Sequence, residues 1–432
     1  MADLFRTPPL DLEDAAVLKV VHAMRAELRY VLRAPRRWEG VLRRTLLARA
    51  IRGSNSIEGY LITVDDAVAA VDEDEPLSTD QRTWAEIVGY RAAMSYILQL
   101  GEDPHFRYDA ALFRSLHFMM LGHDLTKSPG RYRQGPIYVR DEATGEAVYE
   151  GSDWQQVADL MDALAESLES DRETDPVVKA ALAHLNLVMV HPFRDGNGRM
   201  ARAVQTLVLA RESIVAPQFA SIEEWLGANT QIYYAVLAAT GAGGWHPERD
   251  TSLLVKFTLR AHHMQAQTVR RRVEVTQHLW TTLEDVVAEE GLPPRTAHAL
   301  LDAALGLRVR RPGYARLADV EERTPPATSG CWSTAGCCKP WARPAGASTW
   351  RGRGCAHRRL RPRRRPRRSR TPIPGSRPRS CRRLAPSRRR ASHLASSPPA
   401  RDCCHLPLRW NQRRDSLRVW HRWKRCRAPI AA

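Results

Sequence analysis

The first 330 residues contain no cysteine, so disulfides say nothing about their compartment. No run of about 18 apolar residues occurs, which leaves no candidate for a spanning helix. The N-terminus lacks a basic segment followed by an apolar one, so no secretory signal is read there. No membrane partner is expected, and the cytoplasm is the default location. Acidic residues are scarce at the other end. The last 102 residues hold two aspartates and no glutamate against 27 arginines and two lysines. The formal charge of +18 therefore comes wholly from that tail, and the body before it is net acidic. Only the tail argues for nucleic acid.

β-prone runs are also scarce. Apolar residues at spacings of three and four predict helices over 10–50. A break is predicted at Gly53-Ser54-Asn55-Ser56, and then a helix capped by Thr63. Residues 75–80 read as an acidic turn. Helices are predicted over 81–100, near 108–120, and over 153–169. Between them, 137–139 and 147–149 are two short β-prone runs joined by a glycine-containing loop, the pattern of a hairpin. Residues 177–190 form an amphipathic pattern with Val178, Ala181, Leu182, Leu185, Val188 and Met189 on one face. Pro192 ends it, because a proline disfavours helical backbone at the residue before it. Further helices are predicted over 197–211, 229–240 and 253–267, ending near Arg272. Residues 296–304 and 314–320 read as pieces of a helix-turn-helix.

The chemistry concentrates in His191-Pro-Phe-Arg-Asp-Gly-Asn-Gly-Arg-Met-Ala-Arg202. A helix delivers His191 to a loop holding one carboxylate, Asp195. Gly196, Asn197 and Gly198 then open a helix that carries Arg199 and Arg202. A helix N-terminus flanked by glycines offers backbone N–H groups to an anion. Two arginines three apart share a helix face and suit phosphate oxygens. Asp195 is a hard oxygen ligand of the kind that holds Mg²⁺ on phosphates. His191 titrates in the range of a general base near neutral pH. Two arginines on a helix are more often a solvated face, but the full set together is far more specific.

This segment resembles the signature of the Fic family, His-x-Phe-x-(Asp/Glu)-Gly-Asn-Gly-Arg-x-x-Arg, at all eight fixed positions. The resemblance extends over roughly residues 50–270. It implies a mainly α fold, a Fic-type helical bundle with a β-hairpin flap. It implies AMP transfer from ATP, with Mg²⁺, to a Ser, Thr or Tyr hydroxyl of a target protein. His191 would be the base and Asp195 the metal ligand. Gly196, Asn197 and Gly198 would cradle phosphates, and Arg199 and Arg202 would bind the β- and γ-phosphates. Phe193 would anchor the loop, and His184 is read as structural. Ile137, Tyr138 and Val139 look like the substrate-positioning flap, pairing with target backbone. Tyr233 and Tyr234 resemble the adenine-side segment. Ser54-Asn-Ser-Ile-Glu58-Gly59 resembles the family's inhibitory pattern, in which Glu58 would pair with Arg202 and occupy the γ-phosphate position. The alternatives are a nucleotide-sensing regulator, another donor (UMP, GMP or phosphocholine), and hydrolytic removal of AMP. A homodimer is left open.

Four regions follow. Residues 1–105 are helical and carry the inhibitory motif. Residues 106–272 are the catalytic core. Residues 273–325 are a partial helix-turn-helix or winged helix through which DNA could be bound. Residues 326–432 are an Arg/Pro/Cys/Trp-rich tail without periodicity, expected to be disordered. That composition is what a GC-rich gene yields out of frame. Back-translating residues 330–350 and reading from the third codon position permits Leu-Leu-Val-Asp-Gly-Gly-Leu-Leu, which resembles the end of a winged helix. A frameshift between about 320 and 330 is therefore expected; the other reading is a genuine arginine-rich nucleic-acid arm.

Overall fold

Short acidic and hydroxyl side chains start five of the described α-helices. In the computed structural model, which describes residues 3–319 apart from 33–34, 141–143 and 213–216, Asp11 caps α1 (Leu12–Val31) with a capping box. Thr63 caps α3 (Val64–Asp72), Asp80 caps α4 (Gln81–Leu100), and Asp109 caps α5 (Ala110–Leu121). Each accepts from amides that the first helical turn cannot satisfy itself. Asp175 does the same for α7 (Pro176–Val190), whose first position is a proline.

The predicted break at residues 53–56 is not there. One helix, α2, runs Glu39–Ile57 straight through it. The reason is tertiary. Helix α10 (Glu223–Ala228) crosses α2 so closely that a Cβ on Gly53 would lie 2.4 Å from the Glu223 carbonyl oxygen. Gly53 is a crossing point and not a breaker. The expected end near Arg272 is likewise corrected. A single helix, α12, spans Ser252–Glu289, roughly 57 Å of helix. Its apolar stripe serves two cores in succession, and so it continues where the first core ends.

Helix α7 is buried on more than the one face its periodicity suggested. Val178, Ala181, Leu185 and Met189 pack with α1, α11 (Thr230–Gly241) and α12. Ala180, Ala183, Leu187 and Val190 pack into a second core with α4, α5, α6 (Val157–Ser170) and α8 (Asn197–Arg211). A helix that is apolar all round belongs at the centre, and α7 is there.

Among the described residues the one sheet is the predicted hairpin, β1 (Tyr138–Arg140) against β2 (Ala147–Glu150). Tyr138 pairs with Glu150 and Val139 with Tyr149, and the register slips before Arg140, which pairs with Ala147. The Tyr149 hydroxyl donates to the Met189 carbonyl at 2.7 Å, tying the hairpin to the end of α7.

Helix α13 (Thr296–Ala304) lies where predicted, and α14 (Arg311–Ala318) starts slightly earlier than expected. The remainder of the predicted winged helix, the basic tail with all eight cysteines and the frameshift site lie outside the described residues. No helix among the described residues is long and apolar enough to cross a membrane.

Candidate active site

His191 is the C-cap of α7 and sits in the left-handed region, φ 53° and ψ 56°. A non-glycine residue holds that conformation only where its surroundings enforce it. They do. The Arg133 side chain, buried, donates from Nε to the His191 carbonyl at 2.8 Å and from Nη2 to the Val190 carbonyl at 3.2 Å. It also donates to the Gly135 carbonyl and to Ser152, so one guanidinium joins the base of the hairpin to the motif loop. His191 Nδ1 donates to the Val188 carbonyl at 3.0 Å, leaving Nε2 as the basic nitrogen. Burial, helped by Arg133, lowers the imidazole below its ordinary range, against the Val188 carbonyl, Glu58 and Asp195. His191 is thus neutral near pH 7.

The loop after it is closed from inside. Phe193 is fully buried, an anchor contributing roughly 2–3 kcal/mol. Its ring stacks on His117 at 3.8 Å between centroids. His117 Nε2 donates to the Asp195 carbonyl at 2.9 Å while Nδ1 accepts from the Gly130 amide at 2.9 Å, which fixes a neutral tautomer. Burial pushes this histidine down to about 4. Asn197, expected to cradle phosphates, also holds the loop together. Its side chain is buried and spent on the loop itself, accepting from the Phe193 amide at 2.9 Å and donating to the Phe193 carbonyl at 2.8 Å.

Gly196 begins α8 with φ 76°. The amides of the first turn of α8 have no carbonyl one turn back within the helix, so this end can receive an anion. The two arginines face different carboxylates. Arg202 donates from Nη2 to Glu58 Oε1 at 2.7 Å and to the Ser54 carbonyl at 2.9 Å, and from Nε to Ser54 Oγ at 2.8 Å. Arg202 Nη1 is buried with no hydrogen-bond partner, although a buried donor is costly to leave unpaired. A Cβ on Gly198 would lie 2.4 Å from Glu58 Oε1 and 3.2 Å from Arg202 Nη1, so only glycine lets the glutamate approach. The sequence-predicted Ser54, Glu58 and Arg202 therefore meet. Gly59 follows with φ 83°.

Arg199 does not share that position. It is buried, its Nη1 held by Glu86 Oε2 and its guanidinium stacked 5.2 Å from the Tyr60 ring centroid. Of the two arginines expected to bind phosphates, Arg199 thus faces Glu86 and Arg202 faces Glu58. Burial pushes the Glu86 carboxyl up, but Arg199 and Lys127 outweigh it and bring it down to about 2. Asp195 follows the same pattern, its burial outweighed mainly by Lys127, so it stays ionised.

Tyr233, expected on the adenine side with Tyr234, lies in the core. It is buried and its hydroxyl bonds His184 Nε2 at 2.8 Å, with Gln205 on the other ring nitrogen at 2.6 Å. A core tyrosine offers no ring face to a base. Tyr234 is 48% exposed, and its hydroxyl donates to the Ile57 carbonyl at 3.1 Å, beside the inhibitory segment. In the hairpin, Tyr138 and Val139 are exposed and Ile137 partly so; the Ile137 carbonyl accepts from Gly151 at 3.1 Å.

Residues that sequence reasoning missed are Glu86, His117, Lys127 and Arg133. They come from other helices and loops, and no local spacing marks them.

The Fic/DOC family model matches residues 107–209. Residues 107–209 are a Fic/DOC domain. The chain is 28% identical over 253 residues to protein adenylyltransferase fic-1 of Caenorhabditis briggsae, covering 56% of this chain and 46% of that protein. It is 36% identical over 129 residues to protein adenylyltransferase Fic of Drosophila virilis, covering 29% and 25%. It thus spans less than half the length of these curated relatives. A crystal structure of a Fic family protein from Desulfovibrio desulfuricans G20 superimposes with a TM-score of 0.53 at 23% identity, covering 72% of this chain and 89% of that one. That likeness concerns the fold, and it includes the helical Fic architecture described above.

Proposed function

We propose that this Fic protein transfers AMP from ATP to a hydroxyl side chain of a protein target and is held back by Glu58. The observation that carries the reading is Arg202. It is a buried cation with one unpartnered donor, Nη1, and one carboxylate, Glu58, seated at the N-terminal end of α8 beside a neutral histidine. The curated relatives are named protein adenylyltransferases, which agrees with it.

In this reading His191 Nε2 takes the proton of the target hydroxyl. The oxygen attacks the α-phosphorus, the bond to the β-bridging oxygen breaks, and pyrophosphate leaves with that electron pair. The first turn of α8 holds phosphate oxygens on its amides. Arg202 binds the terminal phosphate once Glu58 has left it. Arg199 supports the site's positive field from inside the core. Tyr234 borders the base, and Tyr138 and Val139 offer strand edge to the target. Asp195 suits Mg²⁺: it is one ionised, partly exposed oxygen donor, and Mg²⁺ is commonly held by one or two carboxylates plus substrate phosphates. When bound, Mg²⁺ neutralises phosphate charge.

The test is labelling of a cell lysate by the full chain with α-labelled ATP and Mg²⁺. Glu58→Gly should raise transfer by about tenfold or more, since freeing Arg202 is worth at least ~1.4 kcal/mol. Adding His191→Ala should remove about 10²–10⁴ of that rate. No label from any folded variant would overturn the reading. Residues 273–325 are the part assigned to DNA, because they read as a partial helix-turn-helix or winged helix. A salt titration of DNA binding by the full chain reads that assignment, and no binding at low salt sinks it.

A further inference from the structure

The carboxylate assigned to the metal already has a cation on it. Asp195 Oδ1 accepts from the Gly196 amide at 2.7 Å, and Oδ2 lies 2.8 Å from Lys127 Nζ. The same Nζ lies 2.6 Å from Glu86 Oε1. Glu86 is a fixed post. It sits on α4, buried, with its other oxygen on Arg199 and with Tyr60 Oη donating to Oε1 at 3.1 Å. His123 Nε2 is 3.3 Å from Oε1 as well. Lys127 is placed with equal care. It closes a short 3-10 turn, Leu125–Lys127, capped by Asp124 and followed by Ser128 in the left-handed region. The Lys127 side chain is 15% exposed and that of Asp195 42%, so the pair is inner at the lysine and open at the aspartate.

We infer that Lys127 is the resident cation of the metal position, which a divalent ion must displace from Asp195 Oδ2 or share it with. The inference rests on reading Asp195 as the metal ligand. Two consequences follow from charge alone. A divalent ion arriving without nucleotide meets an ammonium already on its only carboxylate, so it binds weakly. An ion arriving with ATP brings phosphate oxygens whose charge offsets the ammonium. Lys127, its Nζ still held by Glu86, then stays in the site as a positive charge facing phosphate. The ammonium of Lys127 sits between two carboxylates, Asp195 and Glu86, and is a cation there. Metal loading is thereby made conditional on nucleotide.

Mn²⁺, which shares the oxygen preference of Mg²⁺, provides the measurement through the free-ion signal in electron paramagnetic resonance. The full chain is titrated with Mn²⁺ alone and with Mn²⁺ plus ATP. Lys127→Met should bind Mn²⁺ alone at least about tenfold more tightly than wild type, because a like charge a few ångströms away is removed. Lys127→Arg should stay near wild type, and the gap should narrow when ATP is present. Lys127→Gln keeps a donor for Glu86 without the charge and serves as the reading if the methionine variant does not fold. Unchanged or weaker Mn²⁺ binding in both neutral variants overturns the inference. In the titrations with Mn²⁺ alone, Asp195→Asn should abolish binding in every background. Mn²⁺ that still binds after Asp195→Asn would instead sink the metal assignment, and this inference with it.

Discussion

His191 shows how much a single residue owes to its neighbours. Its imidazole would be half-charged near pH 6.5 in a free chain. Here burial and Arg133 push it lower. A general base works only when neutral, so the sign is fixed. The rate of AMP transfer should hold steady from about pH 8 to about pH 6.5 and fall only as pH drops through the lowered value. A pH–rate profile of Glu58→Gly is the measurement, and that substitution moves the limb further toward acid, because Glu58 is one of the groups that raise the imidazole. A half-maximal rate above about pH 6.5 would contradict the assignment of His191. At this scale the motif was legible from sequence, including Phe193 as anchor and Glu58 as the carboxylate facing Arg202, whereas the bonds of Ser54 to Arg202 were not. The division of labour within it was not. Asn197 and Arg199 fit phosphate chemistry by residue type, but the loop consumes one and Glu86 the other.

Elements were legible where local rules decide them. The cap of α3 and the bounds of α4 and α8 follow from residues within a few positions. Helix α2 was not, because Gly53 reads locally as a breaker and acts as a crossing point. Gly53→Ala tests that distinction. A surface glycine in a helix gains stability on becoming alanine. At this crossing the new methyl would meet the backbone of Glu223 and Glu224, and overpacking of that kind costs about 1–3 kcal/mol. The melting temperature should fall, and a rise would show that α10 does not press on α2. Since α2 ends at Glu58, the same variant should loosen the contact with Arg202 and raise labelling in the lysate assay.

At the scale of the whole molecule, α13 and α14 are tied to the helix that carries Glu58. Arg44 of α2 is buried between Asp72 of α3 and Asp302 of α13, and a Cβ on Gly313 of α14 would strike that cluster. Arg310 pairs with Asp65 and Asp74 at 2.9 Å each. Removing one member of a buried charge set leaves the rest uncompensated. Asp302→Ala should lower stability by about 3 kcal/mol in urea unfolding, and Asp302→Asn by less, since it keeps a polar partner for Arg44. Equal, negligible effects would show that the cluster is solvated. The acidic body noted in the sequence is here given a use, because much of that charge faces arginines across helix boundaries.

The sequence by itself determined the helical class, the hairpin, the caps and the chemistry of residues 191–202, because each depends on residues within a turn or two of one another. Folding decided which of those groups remain available. Glu58 reaches Arg202 across 144 positions and Glu86 reaches Arg199 across 113, distances over which no periodicity carries information. Tyr233 and Tyr234 are neighbours with the same side chain, yet one is core and the other surface, since successive helical positions point about 100° apart. Lys127 is an unremarkable lysine in a turn until the fold sets it between two carboxylates. Coulomb forces act over ångströms of space, and only the tertiary structure says which charges lie that close.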